Sequence, residues 1–236
     1  MGNLVSDCIN IGIGVRCIGG DPIMLDGSYF SKIDDEAKAY FIGFLLADGC
    51  ITKHHGVYRQ IQLHLSSKDI EIVEKLKEVT RSNRQIYISP NGERCMFRDS
   101  SDNMVRDLAK FGIVPCKTGN EQPDFSSIPD YLLNHTLRGL IDGDGWISIG
   151  QSYYGKRLLS LGICGSKYTC EYVTYLLSEK VGVNILSASK VKDKDCYKLG
   201  YTNLGDIKDI IRYLYSNATI GLTRKYKNAC EIMNMQ

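Results

Sequence analysis

Apolar and polar residues follow two different periods along the chain, and these predict helices and strands. Residues 40–46 form an almost unbroken apolar run of helical character, whereas residues 57–65 alternate as a strand does. One face of this strand carries Val57, Arg59, Ile61, Leu63 and Leu65, and the other carries Tyr58, Gln60, Gln62 and His64. We expect the first face to cover helices and the second to present amide, imidazole and phenol groups.

We interpret the chain as helix, two strands, helix, two strands, helix, used twice, with only one strand assigned after the first helix of the first set. The first set comprises a helix from an N-cap at Asp34 to residue 47, strand 57–65, a helix from Ser66 to 79, strands 84–89 and 93–98, and a helix from Ser101 to 111. The second set comprises helix 129–143, strands 146–150 and 156–164, helix 167–180, strands 184–190 and 195–201, and helix 205–215, with a final helix from 223.

This order predicts an α/β (α+β) fold made of two fused, duplicated αββαββα halves. The predicted divisions are an N-terminal arm at 1–33, a first half-domain at 34–115, a linker at 116–128 and a second half-domain at 129–236. With 236 residues and 43% hydrophobic content, the chain can bury a substantial core.

One stretch of sequence recurs at the first helix of each half. Residues 40–49 read YFIGFLLADG and residues 136–145 read TLRGLIDGDG. Each copy places two small residues four positions apart, Gly43 with Ala47 and Gly139 with Gly143. Glycine inside a helix costs about 1 kcal/mol relative to alanine, and small residues on one helix face allow two backbones to approach closely. The two copies are therefore predicted to pack against each other.

An aspartate follows each pair of small residues, at the predicted helix C-terminus. Asp48 and Asp144 thus lie where the helix dipole is already negative. If the helices pair, the two carboxylates also meet, and neighbouring carboxylates resist ionising together. A bound divalent cation would relieve both conflicts, and oxygen ligands suit Mg²⁺ or Ca²⁺.

Residues 41–49 and 137–145 resemble the motif of the LAGLIDADG homing endonucleases. The first copy departs from the motif at Leu46, where the family has its first acid, and the second departs at Arg138 and Gly143. The resemblance covers roughly residues 30–230, and two copies in one chain are similar to the monomeric branch of the family. It implies paired motif helices at a pseudo-twofold interface, with two antiparallel sheets that form a DNA-binding saddle.

The resemblance also implies an activity and a catalytic site. An intron-encoded enzyme of this family makes a metal-dependent double-strand break in a long, nearly non-palindromic DNA site. Metal would be held by Asp48 and Asp144, assisted by the backbone carbonyls of Ala47 and Gly143, with Mg²⁺ as the active ion and Ca²⁺ as a non-cleaving substitute. A basic side chain is expected near each scissile phosphate, and the candidates are Lys198 and Arg98.

The polar faces of the sheets are the predicted surface for the DNA major groove. Amides and phenols would read bases, and basic side chains would contact phosphates. The candidates are Tyr58, Gln60, Gln62, His64, Gln85, Tyr87, Gln151, Tyr154, Lys156, Arg157, Ser187, Ser189, Lys190 and Lys192.

Charge, cysteine content and apolar run length bear on which other sites and cellular locations the sequence allows. The net charge of +2 is uneven, because residues 1–144 carry 16 Lys+Arg and 20 Asp+Glu whereas residues 145–236 carry 13 and 7. Nine cysteines without a Cys-x-x-Cys pair argue against a structural zinc site. No apolar run is long enough to span a bilayer, so we expect reduced thiols, an intracellular location and no membrane partner.

Alternative functions remain open on the sequence alone. A protein of the same fold could act as a maturase that holds intron RNA, or as a DNA-binding protein that does not cut. A purely structural role for the glycines would leave the two helix-end acids unexplained.

Overall fold

A computed structural model describes residues 25–119 and 121–235. Most of the predicted N-terminal arm, residues 1–24, lies outside the described residues. The remainder of that arm belongs to the first half, because Phe30 and Ile33 are buried in its core and Asp26 N donates to Thr80 O at 2.9 Å. In the predicted linker, Phe125 is also buried and its ring contacts that of Tyr172.

The first half contains helices α1–α3 and strands β1–β4. In chain order these are α1 (Glu36–Asp48), β1 (Gly49–His54), β2 (Val57–Ser66), α2 (Ile70–Val79), β3 (Tyr87–Ile88), β4 (Arg94–Ser100) and α3 (Asp102–Ala109). The second half repeats this order and adds one helix. Its elements are α4 (Asp130–Asp144), β5 (Gly145–Gln151), β6 (Arg157–Gly165), α5 (Lys167–Val181), β7 (Ser189–Lys190), β8 (Tyr197–Tyr201), α6 (Leu204–Leu214) and α7 (Thr223–Met233).

Each half forms one four-stranded antiparallel sheet with the same topology. The strand orders are β1-β2-β4-β3 and β5-β6-β8-β7, which confirms the duplicated α+β fold. Strand β1 was not predicted, although it begins directly at the motif glycine, Gly49. Strands β3 and β7 are only two residues long, shorter than predicted, and both are exposed edge strands paired on one side.

The two motif helices, α1 and α4, pack against each other through their glycines. A Cβ at Gly43 would lie 1.9 Å from the carbonyl oxygen of Thr136, and one at Gly139 would lie 2.0 Å from that of Tyr40. Both distances are far below any real carbon–oxygen contact, so the helix backbones touch directly. Residues 39–46 of α1 are buried all round.

Arg138, a departure from the motif, supports this helix pair from its opposite end. Its guanidinium is 1% exposed, and Nη2 donates to Glu36 Oε1 at 2.6 Å. Nε and Nη1 donate to the carbonyl oxygens of Ile220 and Leu214, both at 2.8 Å, and Nη1 also lies 2.7 Å from His135 Nδ1. A buried charge of this kind is tolerated only when paired and fully hydrogen-bonded, so the arginine ties α1 and α4 to the chain that follows α6.

Among residues 25–119 and 121–235, no helix has both the length and the apolar content needed to cross a membrane.

The glycine contact gives a stability prediction. Gly43→Ala should lower the free energy of unfolding by about 3 kcal/mol, because the methyl group would force the backbones apart despite a gain of about 1 kcal/mol in helix propensity. The measurement is urea denaturation. Gly150→Ala is the control, since its Cβ would meet nothing closer than 3.6 Å. Equal stability of the two variants would show that the helix backbones do not touch.

Candidate active site

The structure brings Asp48 and Asp144 together at the end of the helix pair. Each is the last residue of its helix, and the next residue begins the first strand of its sheet. A Cβ at Gly143 would lie 2.3 Å from Ala47 Cβ and 3.3 Å from Asp48 Oδ2, so the Asp48 carboxylate lies over the end of the opposite helix. The Asp48 side chain is exposed and Asp144 is half-buried. Both acids can therefore meet a ligand from solution.

The two acids are electrostatically coupled. Burial raises the pKa of Asp144 to about 6, and the charge of Asp48 is the next cause. The helix ends around Asp48 partly desolvate its carboxylate although the residue is exposed at the surface, and this raises its pKa, partly opposed by the charges of Lys225 and Lys117. A site where one carboxylate hinders ionisation of its neighbour is one that a divalent cation stabilises.

A buried lysine lies at the end of each motif helix. Lys117 Nζ donates to the carbonyl oxygen of Ala47 at 2.9 Å. Lys225 Nζ donates to the carbonyl oxygens of Ile141, Asp142 and Gly145 at 2.7, 2.6 and 2.6 Å. A cation at a helix C-terminus interacts favourably with the dipole and with the last unpaired carbonyls. The two lysines thus offset the negative charge that the aspartates add there.

Burial lowers the pKa of both lysines. The pKa of Lys225 falls to about 8, and that of Lys117 also falls, opposed first by the charge of Asp144. Two ammonium groups therefore stand beside two carboxylates in one buried to half-buried cluster.

The segment that carries each lysine is fastened to the opposite half of the protein. Glu121, four residues after Lys117, accepts hydrogen bonds from Ser166 N at 3.2 Å and Gly119 N at 2.8 Å. Ser166 is the N-cap of α5. At the other lysine, Arg224 forms an ion pair with Asp69 of the first half at 3.0 Å. The position of each lysine therefore depends on the docking of one half on the other.

Sequence reasoning missed Lys117 and Lys225 as members of this site. Lys117 lies in the predicted linker, where its one sequence signal is that no other charged residue occurs in residues 111–120. Lys225 lies in the first turn of α7 among other basic residues, which gives no signal. Their role follows from the tertiary fold alone.

The predicted basic residues Arg98 and Lys198 do not occupy equivalent positions in the two sheets. Arg98 pairs with Gln62 on β2, whereas Lys198 pairs with Cys164 on β6. Equivalent positions in the two sheets can be counted from the motif glycines, Gly49 and Gly145. By this count Gly162 is the equivalent of Gln62, and it pairs with Gly200. The equivalent of Arg98 is therefore Gly200 and not Lys198. Arg98 and Lys198 are both exposed, and neither is among the groups that act most strongly on the pKa of Asp144.

The residues present fit a divalent cation shared with a substrate. Among residues 25–119 and 121–235, no cluster of three or more His, Cys, Asp or Glu side chains could hold a metal ion. The protein offers two carboxylates, with the carbonyls of Ala47 and Gly143 at the same helix ends. Mg²⁺ is commonly held by one or two carboxylates, waters and substrate phosphates, so this donor set suits an ion that is completed by a phosphate.

In the first half, four of the predicted DNA-contact residues, Gln60, Gln62, His64 and Tyr87, share one face of the sheet, whereas a register shift separates Tyr58 from them. The register aligns Gln62 with Cys50 and Arg98, and His64 with Met96 and Tyr87. Directly opposed residues lie on the same face, so this face also carries Arg98. Gln60 and Gln62 are half-buried, and Tyr58, His64, Gln85 and Tyr87 are exposed.

In the second half, the register corrects two of the predicted contacts. Gln151 and Arg157 pair with each other, and each lies an even number of residues from a buried residue of its own strand, Ile147 or Leu161. Because side chains alternate between the two faces of a strand, Gln151 and Arg157 lie on the helix side of the sheet. The opposite face carries residues that sequence reasoning did not select: Trp146, Ser148, Ser160, Cys164 and Lys198. Six predicted residues, Tyr154, Lys156, Ser187, Ser189, Lys190 and Lys192, are exposed.

Comparison by sequence finds no matching family model and no matching curated protein. Comparison by structure finds LAGLIDADG homing endonucleases. I-LtrWI bound to target DNA has a TM-score of 0.52 and 14% identity over 85% of this chain and 98% of its own. I-AabMI bound to uncleaved DNA has a TM-score of 0.59 and 13% identity over 85% and 91%.

A third structure, I-SmaMI bound to cleaved DNA, has a TM-score of 0.58 and 15% identity over 86% of this chain and 89% of its own. The chain therefore has the fold of the LAGLIDADG homing endonucleases, as its paired motifs predicted.

The raised pKa of Asp144 predicts a pH-dependent stability change. An acid whose pKa is raised on folding gives stability that is fully present below its unfolded pKa and lost as pH rises through about 6. In chelator, Asp144→Asn should therefore be more stable than the parent by about 1 to 2 kcal/mol at pH 8, after allowing for solvent screening. This advantage should shrink towards pH 5.

Denaturant unfolding at several pH values measures the difference. Asp124→Asn is the control, because hydrogen bonds from Ser126 lower the pKa of Asp124, so its replacement should bring no gain at pH 8. A destabilised Asp144→Asn protein at pH 8 would contradict the electrostatic description.

Proposed function

We propose that this protein is a site-specific endonuclease that makes a divalent-metal-dependent double-strand break in a long, nearly non-palindromic DNA target, acting as a monomer. The observation that carries the proposal is the meeting of Asp48 and Asp144 at the ends of two touching helices, with both side chains accessible. One acid from each half suits an enzyme that must cut two strands related by a near-twofold axis.

Duplex DNA is the substrate that the fold and the sheet faces favour. The similar structures I-LtrWI and I-AabMI are bound to DNA, and a structure of I-SmaMI was bound to an uncleaved DNA target in the presence of calcium ions. In this chain, the sheet face that carries Gln62 and His64 also carries Arg98, and the equivalent face of the second sheet carries Lys198. Such faces combine groups that read bases with groups that bind phosphate.

The cleavage chemistry is assigned to the cluster at the helix ends. The carboxylates of Asp48 and Asp144, with the carbonyls of Ala47 and Gly143, would hold the metal. When bound, Mg²⁺ would activate a water and neutralise charge on the phosphate and the leaving oxygen. The protein's own contribution is to fix the two carboxylates at one point and to keep positive charge beside them.

Lys117 and Lys225 replace Lys198 and Arg98 as the proposed basic residues of the site. Their ammonium groups are the positive charges that act most strongly on both Asp48 and Asp144. Arg98 and Lys198 are instead proposed as contacts to DNA, because both lie on exposed sheet faces.

The first test removes one acid at a time. With a target selected from a randomised DNA library, Asp48→Asn and Asp144→Asn should each lose double-strand cleavage in Mg²⁺, because one carboxylate cannot hold the metal that needs two. DNA binding in Ca²⁺ should remain largely intact. Gel assays of cleavage and of binding measure the two properties separately.

Asp124→Asn, which changes an exposed acid outside both motifs, should cut normally. Full cleavage by either motif variant would show that the acids are not the metal site. Tight duplex binding by the parent without cleavage in Mg²⁺ would instead indicate the non-cleaving DNA-binding protein of this fold, and a separate assay with intron RNA tests the maturase.

The second test compares two glutamines on opposite sheet faces. Gln62→Ala should relax specificity at one or two base pairs by about 1 to 3 kcal/mol, the value of a bidentate base contact. Gln151→Ala is the matched control and should leave the cleavage profile unchanged, because Gln151 lies on the helix side of its sheet. Profiles of cleaved library sites measure both, and an unchanged profile for Gln62→Ala would remove it from the reading face.

A further inference from the structure

Trp146, the one tryptophan of the chain, lies on the exposed face of the second sheet close to the acid of its half. It follows Asp144 by two residues and lies on the face opposite the buried Ile147. Its partner across the sheet is Gly162 on β6, which pairs in turn with Gly200 on β8. Residues 146, 162 and 200 thus form one row across the exposed face, and we call this row the inner row.

The indole covers both glycines of the inner row. A Cβ at Gly162 would lie 2.4 Å from Cζ2 of Trp146 and 2.2 Å from the carbonyl oxygen of Leu199. A Cβ at Gly200 would lie 2.8 Å from the same ring carbon. Gly162 is buried although it lies on the exposed face of the sheet, whereas the tryptophan is half-buried. Neither glycine leaves room for a side chain beneath the ring, so the indole itself forms the surface here.

The surface that the indole forms is apolar. Its single polar group, Nε1–H, is a donor only, and it donates to Ser160 Oγ at 2.8 Å. The two glycines add no side-chain donor or acceptor. The three residues of the inner row therefore offer a base edge carbon–hydrogen and π surface in place of hydrogen-bonding groups.

The equivalent row of the first sheet is polar. Cys50 occupies the position of Trp146, and the row continues through Gln62 and Arg98. Cys50 and Arg98 are exposed, and Gln62 is half-buried. An amide and a guanidinium can make bidentate hydrogen bonds to adenine and guanine in the major groove. The two halves thus differ in the chemistry that they offer to the base pairs nearest the acids.

An apolar surface in the major groove distinguishes one of the four bases. Thymine alone places a methyl group there, and this group makes apolar contacts with side chains. A donor or acceptor that gives up water without gaining a partner is disfavoured. The inner row therefore favours a pyrimidine that carries a methyl group at C5.

We infer that Trp146 determines specificity in the second half by recognising the C5-methyl group of a thymine next to the cut. This inference rests on the proposed nuclease function. The same surface would accept 5-methylcytosine, which carries the methyl group on the same ring atom. Specificity beside the cut is then divided between the halves. The first sheet reads hydrogen-bonding groups with Gln62 and Arg98, and the second sheet reads a methyl group.

The test removes the methyl group from the DNA and leaves the protein unchanged. A target is selected from a randomised duplex library by binding in Ca²⁺, and the cut is mapped in Mg²⁺. Each thymine is then replaced singly by deoxyuridine, which lacks only the C5-methyl group. Binding of the parent, measured by fluorescence anisotropy in Ca²⁺, should weaken about fourfold at a thymine next to the cut, as expected for one buried methyl group.

A second pair of duplexes separates the methyl group from the rest of the base. The same base pair is rebuilt with cytosine or with 5-methylcytosine opposite guanine. The methylated duplex should again bind about fourfold tighter than the unmethylated one.

Three variants assign the methyl response to the indole. Trp146→Ala should bind the thymine and deoxyuridine duplexes equally at this position, because the apolar surface is gone. Trp146→Phe, which keeps an aromatic ring, should retain part of the difference. Cys50→Ala is the matched control at the equivalent position of the first sheet, and it should keep the full difference. Thermal unfolding shows which variants are folded; should Trp146→Ala fail to fold, the parent and Trp146→Phe still decide.

Each contrary result has a distinct meaning. A target that is cut, but in which no thymine next to the cut responds to loss of its methyl group, would overturn this inference and leave the nuclease function standing. A full methyl response in a folded Trp146→Ala protein would do the same. Absence of cleavage by the parent in Mg²⁺, with a Trp146-dependent methyl response in Ca²⁺, would instead overturn the nuclease function and leave methyl recognition standing.

Discussion

Direct contact between the backbones of α1 and α4 is the constraint on which the rest of the structure depends. The contact requires glycine at positions 43 and 139, where any Cβ would overlap a carbonyl oxygen of the other helix. Because each helix continues without a loop into the first strand of its sheet, this contact also fixes where the two sheets begin. A single packing event therefore sets the separation of the two acids and the placement of the two polar sheet faces.

Such an arrangement gathers negative charge at one point, and the protein offsets it with buried ammonium groups. Two aspartates and two helix C-termini would repel each other in a partly buried site. Lys117 and Lys225 donate to carbonyl oxygens at those helix ends, and burial lowers the pKa of both. The two lysines do not fully offset the negative charge, because the pKa of Asp144 is still raised. A bound divalent cation would stabilise the ionised carboxylate.

The motif helices and their acids could be predicted from sequence because their signals are local. Glycines spaced four apart, an acid at a helix end and a strand of period two each depend on residues close together in the chain. The lysines could not be predicted, since each reaches its helix end from a segment docked on the opposite half through Glu121 or Arg224. The sheet face of Gln151 and Arg157 could not be predicted for a similar reason. The sequence alone does not give the register of these strands, and a shift of one residue moves a side chain to the other face.

The point where Ala47 meets Gly143 makes the two helices complementary and not interchangeable. A methyl group at position 143 would lie 2.3 Å from the methyl of Ala47, so there is room for one alanine side chain between the helices and not for two. Two copies of the first half could not associate through this surface at the same separation, because both would bring alanine to the crowded position. The halves are thus matched as unlike partners, with self-association of the first half disfavoured by a clash of single carbon atoms.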